Sequence, residues 1–194
     1  VNINSKTAYK ILIKPLLTLP TARKSLENAL NKHNIDWKKV YMLPRQATID
    51  SSLRTFQYKI LNNILYLNER LFKFNIVDSP LCSLCKRENE SVIHLFCMCT
   101  ATKKLWQQLK TWLSVNVNLP ILEPHTVILG HCDRTILNST LINHIILIFK
   151  RYIYIKRHEH ISLNGIKLFI KNIEKIEHHI ASKRDKLNIH YMKW

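Results

Sequence analysis

The sequence predicts an all-α protein, an irregular multi-helix domain. Three observations lead there. Only 2 of 194 residues are glycine, Gly130 and Gly165, too few for the tight turns of a β-rich fold. Apolar residues recur at three- and four-residue spacing along most of the chain. One segment breaks that rhythm and crowds Cys82, Cys85, His94 and Cys99 together between helical stretches.

Taken in order, Ser5 is placed to cap a first helix with Tyr9, Leu12 and Ile13 on one face, and Pro15 and Pro20 close that segment. Thr21 precedes a second helix striped by Leu26, Ala29 and Leu30. Asp36 to Tyr41 reads as a short helical turn that ends before Pro44. Thr48 or Asp50 caps the next helix, expected to run to about Leu67. Leu53, Phe56, Ile60, Ile64 and Leu67 form one stripe, and Tyr58, Leu61 and Leu65 a second. A helix apolar on two faces is sandwiched, which predicts a central element. Leu71, Phe72 and Phe74 lead to Pro80 and the first cysteine arm.

Thr100 caps a helix carrying Leu105, Trp106, Leu109, Trp112 and Leu113. A loop with Pro120 and Pro124 follows, and Gly130-His131-Cys132-Asp133 reads as a turn. A long helix from about Thr140 carries Leu141, Ile145, Ile148, Phe149, Tyr152 and Ile155. The last helix carries Ile166, Phe169, Ile170, Ile173, Ile176 and Ile180, with Lys and Glu on its other side. These signals divide the chain into an N-terminal helical segment (1–47), a core helix with the cysteine-rich loop (48–118), and a basic C-terminal helical segment (119–194).

Hydrophobic residues make up 46% of the chain, a globular composition, while the formal net charge is +17. A field of that sign attracts polyanions, nucleic acid first among them. Basic residues come in pairs: Lys38-Lys39, Lys86-Arg87, Lys103-Lys104, Lys150-Arg151, Lys156-Arg157 and Lys183-Arg184. The most apolar run, Ile145 to Phe149, is too short to span a bilayer, and no membrane partner is expected. The chain begins at Val1, which predicts a piece of a longer protein, and its first residues are not a secretory signal. Crowded cysteines beside a histidine suit a reduced, intracellular setting better than a disulfide scaffold.

The crowded segment reads Cys-x2-Cys-x8-His-x4-Cys, a lengthened zinc knuckle. Two residues between thiolates let one turn aim both sulfurs at a point roughly 2.3 Å away. Cys97, three residues after His94, is an alternative fourth ligand, whereas the His-x4-Cys99 arm keeps the knuckle spacing. Four protein ligands close a tetrahedron, so one structural Zn²⁺ is expected. The pairs His158/His160 and His178/His179 lack convincing partner ligands and read as surface residues. His144 reads as a satisfied core histidine.

Several stretches together resemble the reverse-transcriptase zinc-binding domain, found at the C-terminal end of LINE-type non-LTR retrotransposon polyproteins. They are Ser52 to Leu65, Ile76 to Cys85, then Glu90, His94-Leu95-Phe96, Cys99 and Trp106. The flanks Asp36 to Arg45 and Asn143 to Lys150 agree. The resemblance implies zinc ligation by Cys82, Cys85, His94 and Cys99, with Cys97 where the family often has an aromatic or polar residue. It also implies a region downstream of the polymerase that binds template RNA or target DNA in target-primed reverse transcription.

No Tyr-x-Asp-Asp pair or nucleophile triad stands out, so no catalysis and no small-molecule substrate are expected. The expected nucleic-acid contacts are Lys86, Arg87, Lys103, Lys104, Lys150, Arg151, Lys156 and Arg157. Trp37, Trp106 and Trp112 suit either base stacking or, as helical spacing favours, a core. The expected partners are RNA or DNA and the remainder of the polyprotein, in a nuclear or cytoplasmic ribonucleoprotein. The rival expectation is a protein-interaction module of a truncated or domesticated element, docking on a partner or the polymerase body.

Overall fold

The computed structural model describes residues 4–14, 20–114, 123–131 and 139–194. Pro15, the Pro120 loop and the Cys132-Asp133 half of the expected turn lie outside them. The described residues form α1 (Ser5–Ile13), α2 (Thr21–Ala29), α3 (Trp37–Ala47), α4 (Ser51–Leu61) and α5 (Asn68–Lys73). A π-helical turn, His94–Met98, is followed by α6 (Thr100–Leu113), α7 (Pro124–Leu129), α8 (Ser139–Lys156), α9 (Leu163–Lys183) and α10 (Leu187–Lys193). The class is all-α: the sole β-type pairing among the described residues is an isolated bridge, Leu81 to Asn89.

Asparagine does the work that glycine does elsewhere. Asn31, Asn63 and Asn75 take the left-handed conformation immediately after α2, α4 and α5, and Asp185 does so after α9. Each sits in a paired C-terminal motif. After α4, the Asn63 N–H donates to the Ile60 carbonyl and the Ile64 N–H to the Lys59 carbonyl. The short amide side chain tolerates positive φ better than other L-residues. That motif stops α4 at Leu61, six residues before the expected end, although Leu65 and Leu67 remain buried beyond it.

Other boundaries also move. Asn4, not Ser5, caps α1 by accepting from the Thr7 N–H, and Tyr9, Ile11 and Leu12 stay exposed. Asp50, not Thr48, caps α4 by accepting from the Ser52 N–H. α3 runs through Pro44 to Ala47; the missing donor costs one helical bond, and the ring is buried.

The deepest element is α8. Leu141 through Lys150 are all buried, because α3, α4 and α9 pack around it. α4 is sandwiched as expected of a central element, touching α2, α3, α7 and α8. The core runs from Leu26 to Ile170 and draws on all three segments read from the sequence. Gly165 has a steric reason: a Cβ there would lie 2.2 Å from the Tyr152 hydroxyl, where α9 crosses α8. On α9 the buried positions are Ile166, Ile170, Glu177 and Ala181, while Ile176 faces out. Glu177 accepts from the Thr48 hydroxyl, the Lys193 ammonium and the Trp194 indole. It thereby fastens α10 to the α3–α4 junction.

Candidate metal centre

Two short arms carry the four expected ligands. The first is the loop closed by the Leu81–Asn89 bridge. Inside it the Cys82 N–H donates to the Glu88 carbonyl at 2.7 Å, and the Lys86 N–H donates to the Cys82 carbonyl at 2.9 Å. Lys86 takes a φ of 57°, so the chain reverses directly after the second cysteine. That reversal lets Cys82 and Cys85 face one point.

The second arm is the π turn, closed by the Cys99 N–H donating to the His94 carbonyl at 2.7 Å. In an α-helix residue i+5 is rotated about 140° from residue i. The wider turn returns Cys99 to the side of His94, a use of π geometry common at functional sites. Cys97 points elsewhere: its thiol meets the Pro124 carbonyl at 3.8 Å, and burial pushes it up to about 12.

The donor atoms of Cys82, Cys85, His94 and Cys99 all lie within 4.8 Å of one another. The Cys82 and Cys99 sulfurs are 3.9 Å apart, and Cys85 Sγ is 3.3 Å from His94 Nε2. A tetrahedral zinc site has S–S edges of about 3.8 Å and S–N edges of about 3.6 Å. The four residues therefore fit a zinc ion, held by three sulfurs and Nε2, and no other such group occurs among the described residues. A closed set of four protein ligands would leave a bound metal no open position and suits it to bracing.

The surroundings prepare this chemistry. Cys82 donates to Cys99, and that hydrogen bond draws the Cys99 thiol down to about 5. The N–H groups of Ala101 and Thr102 at the start of α6 pull the same way, against desolvation. His94 Nδ1 lies 3.0 Å from Glu88 Oε2. A carboxylate there holds the proton on Nδ1 and leaves the Nε2 lone pair for a metal. Glu90 is fully buried; it accepts from the Ser83 and Asn68 N–H groups and lies 3.3 Å from Arg157 Nε. It ties the first arm to α5 and the end of α8. Glu88 carried no sequence signal beyond a polar loop, whereas Glu90 belonged to the quoted resemblance.

The expected basic contacts separate. Lys86 and Arg87 are exposed beside Cys85, and Lys103 and Lys104 are exposed in the first turns of α6, directly after Cys99. Lys156 is half-buried and pairs with Glu159 at 2.7 Å. Arg151 is half-buried, its guanidinium 5.2 Å from the Phe56 ring. Two expectations need correction. Lys150 is 1% exposed, its ammonium donating to Gln57 Oε1 and the Val127 carbonyl, because the buried last-turn carbonyls of α7 lack a helical partner and need a donor there. Arg157 has a side chain 10% exposed, engaged with Glu90 and the Tyr154 and Tyr66 carbonyls. Neither presents its charge to a phosphate.

Other expectations resolve similarly. Trp106 is core, stacked on Phe149 at 3.6 Å with its indole N–H on the Phe96 carbonyl. Trp37 and Trp112 are partly exposed. His144 is buried but not satisfied: neither ring nitrogen has a hydrogen bond, and the nearest acid, Glu177, is 3.6 Å away. His158 and His160 are exposed, while His178 is half-buried with Nε2 3.2 Å from the Tyr191 hydroxyl.

No curated protein matches the chain. Residues 21–106 match a family described as zinc-binding in reverse transcriptase, a stretch that runs from the start of α2 to Trp106 and contains all four ligands. With that match laid over a Cys3His cluster in an all-α frame, residues 21–106 carry a reverse-transcriptase zinc-binding domain.

Proposed function

We propose that this domain is a zinc-braced nucleic-acid-binding portion of a LINE-type retrotransposon polyprotein. In this reading it holds template RNA or target DNA during target-primed reverse transcription, inside a nuclear or cytoplasmic ribonucleoprotein, and performs no catalysis of its own. The observation that carries the reading is the placement of four exposed cations on or directly after the two metal arms. Lys86 and Arg87 follow Cys85, and Lys103 and Lys104 follow Cys99. A metal joining the arms would hold these charges in fixed register. Beside them lies a cleft of about 510 Å³ whose lining includes Lys104, Gln108, His160 and Asn164, together with Glu159, which pairs with Lys156. The net charge of +17 supplies the long-range attraction.

The test is a titration of zinc-loaded protein with RNA and single-stranded DNA across salt. Lys103→Ala/Lys104→Ala should keep metal and helicity and lose affinity. Its slope of log K against log salt should be shallower by roughly 1.4, for two lost phosphate contacts on a single strand. Cys82→Ser should lose metal and local fold. The second reading, docking on a protein partner, draws on Phe72, Phe74 and Ile76, three exposed apolar side chains at the exit of α5. A zinc-loaded wild type without affinity for either nucleic acid at low salt would leave that reading standing alone.

A further inference from the structure

A second surface, outside the metal arms, has the chemistry of a base-stacking platform. α3 and α4 meet in an open cleft of about 330 Å³ whose lining includes Tyr41, Arg45, Ser51, Arg54, Thr55 and Tyr58 and holds no carboxylate. Three aromatic rings run along this side. Trp37 and Tyr41 have ring centres 6.1 Å apart, and Tyr41 and Tyr58 are 6.3 Å apart. Arg23 sits 5.3 Å from both the Trp37 and the Tyr41 rings.

Tyr58 is 54% exposed although it lies on a helix with an otherwise buried apolar face. Arg45 is exposed and unpaired among the described residues. Arg54 donates its Nε–H to the Thr48 carbonyl at 2.7 Å, which anchors the guanidinium and leaves its two Nη groups without a described partner. Asp50, the nearest acid in sequence, is turned into capping Ser52.

We infer that this cleft binds a segment of single-stranded RNA, with bases stacked on Tyr58 and Tyr41 and phosphates on Arg45 and Arg54. Aromatic faces beside arginines are the pattern by which single strands are held without sequence readout. Glu27 accepts from the Trp37 indole N–H at 2.7 Å, outside the cleft lining, and leaves the arginines of the cleft to a phosphate. Charge complementarity selects a polyanion, and the exposed Tyr58 ring beside the half-buried Tyr41 selects one with planar bases. RNA is chosen because Ser51 and Thr55 supply hydroxyls that can pair with a 2′-OH. The inference rests on the nucleic-acid reading above but uses none of its residues, so the two can fail separately.

The test measures binding of labelled oligo(U) to the zinc-loaded full chain. Tyr58→Ala should weaken binding by about 5- to 150-fold, the range of one lost stacking contact, and Tyr58→Phe should retain it. Arg45→Ala should make the salt slope shallower by roughly 0.7. If wild type binds oligo(U) but Tyr58→Ala and Arg45→Ala match it in affinity and slope, the cleft is not the surface and the metal-arm reading stands. If oligo(dT) binds more tightly than oligo(U) with the same dependence on Tyr58, the assignment to RNA is overturned. If poly-glutamate displaces oligo(U) at equal charge, the site reads charge alone and the stacking proposal is overturned. If wild type binds no nucleic acid at low salt, both readings fall together.

Discussion

Glu88 Oε2 stands 3.0 Å from His94 Nδ1, on the side of the imidazole away from Cys85 Sγ, which lies 3.3 Å from Nε2. The ring is thereby oriented by one carboxylate and presents its other nitrogen to three sulfurs. Outer carboxylates of this kind typically carry 10- to 100-fold in metal affinity. Glu88→Ala should weaken zinc binding by about that factor in competition with a chromophoric chelator. Because Glu88 is largely exposed, the metal-loaded variant should keep its helicity. Equal affinities for variant and wild type would show that His94 needs no such partner.

The two neighbouring cysteines should separate cleanly. Cys99 belongs to the donor cluster, whereas Cys97 faces the Pro124 carbonyl. Cys99→Ser should lose tight zinc binding and unfold the arms, since structural zinc sites contribute folding free energy directly. Cys97→Ala should bind one zinc per chain as wild type does and cost about 1–2 kcal/mol through lost packing. Metal analysis with denaturant melts of both variants decides it. Loss of zinc from Cys97→Ala would move the fourth ligand.

Much of this arrangement was readable in the sequence because the relevant signals are local. The Cys-x2-Cys and His-x4-Cys spacings act through turns of a few residues, and helical periodicity places Leu53, Phe56 and Ile60 on one buried face. What escaped depends on distant partners or on asparagine standing in for glycine. Asn62-Asn63 ends α4 through left-handed geometry, a stop signal that an apolar stripe running on to Leu67 conceals. The π turn cannot be told from an α-helix by periodicity over five residues. Lys150 and Arg157 looked like members of surface pairs. Their burial follows from acceptors on α4, α7 and the 66–90 stretch that only the fold brings near.

The buried Lys150 gives stability a specific pH dependence. Burial draws its ammonium down to about 7 from the usual 10.5, with no carboxylate to compensate. In that window the unfolded chain holds a proton that the folded chain releases. Stability should therefore rise with pH from about 7 toward 10.5, by at most about 1.4 kcal/mol per unit, and the penalty should be constant below 7. Lys150→Met removes the titrating group, although it leaves the Val127 carbonyl short of a donor. Its unfolding free energy should vary less between pH 7 and 9.5 than that of wild type. Parallel curves for the two proteins would show that the lysine stays charged inside the fold.

The C-terminal clasp supplies a stability test independent of metal. Glu177 is buried and takes hydrogen bonds from Thr48, Lys193 and Trp194, so one carboxylate joins α9, α10 and the α3–α4 junction. Removing one member of a buried pair leaves the other charge uncompensated, at about 3–5 kcal/mol in well-enclosed cases. Lys193 keeps a side chain 14% exposed and recovers some hydration, so Glu177→Leu should cost nearer 2–3 kcal/mol. The double variant Glu177→Leu/Lys193→Met should recover part of that loss, because it removes both charges together. Denaturant melts of the single and double variants measure the coupling directly. A double variant no more stable than Glu177→Leu alone would mean that Thr48 and Trp194, not the ion pair, account for the clasp.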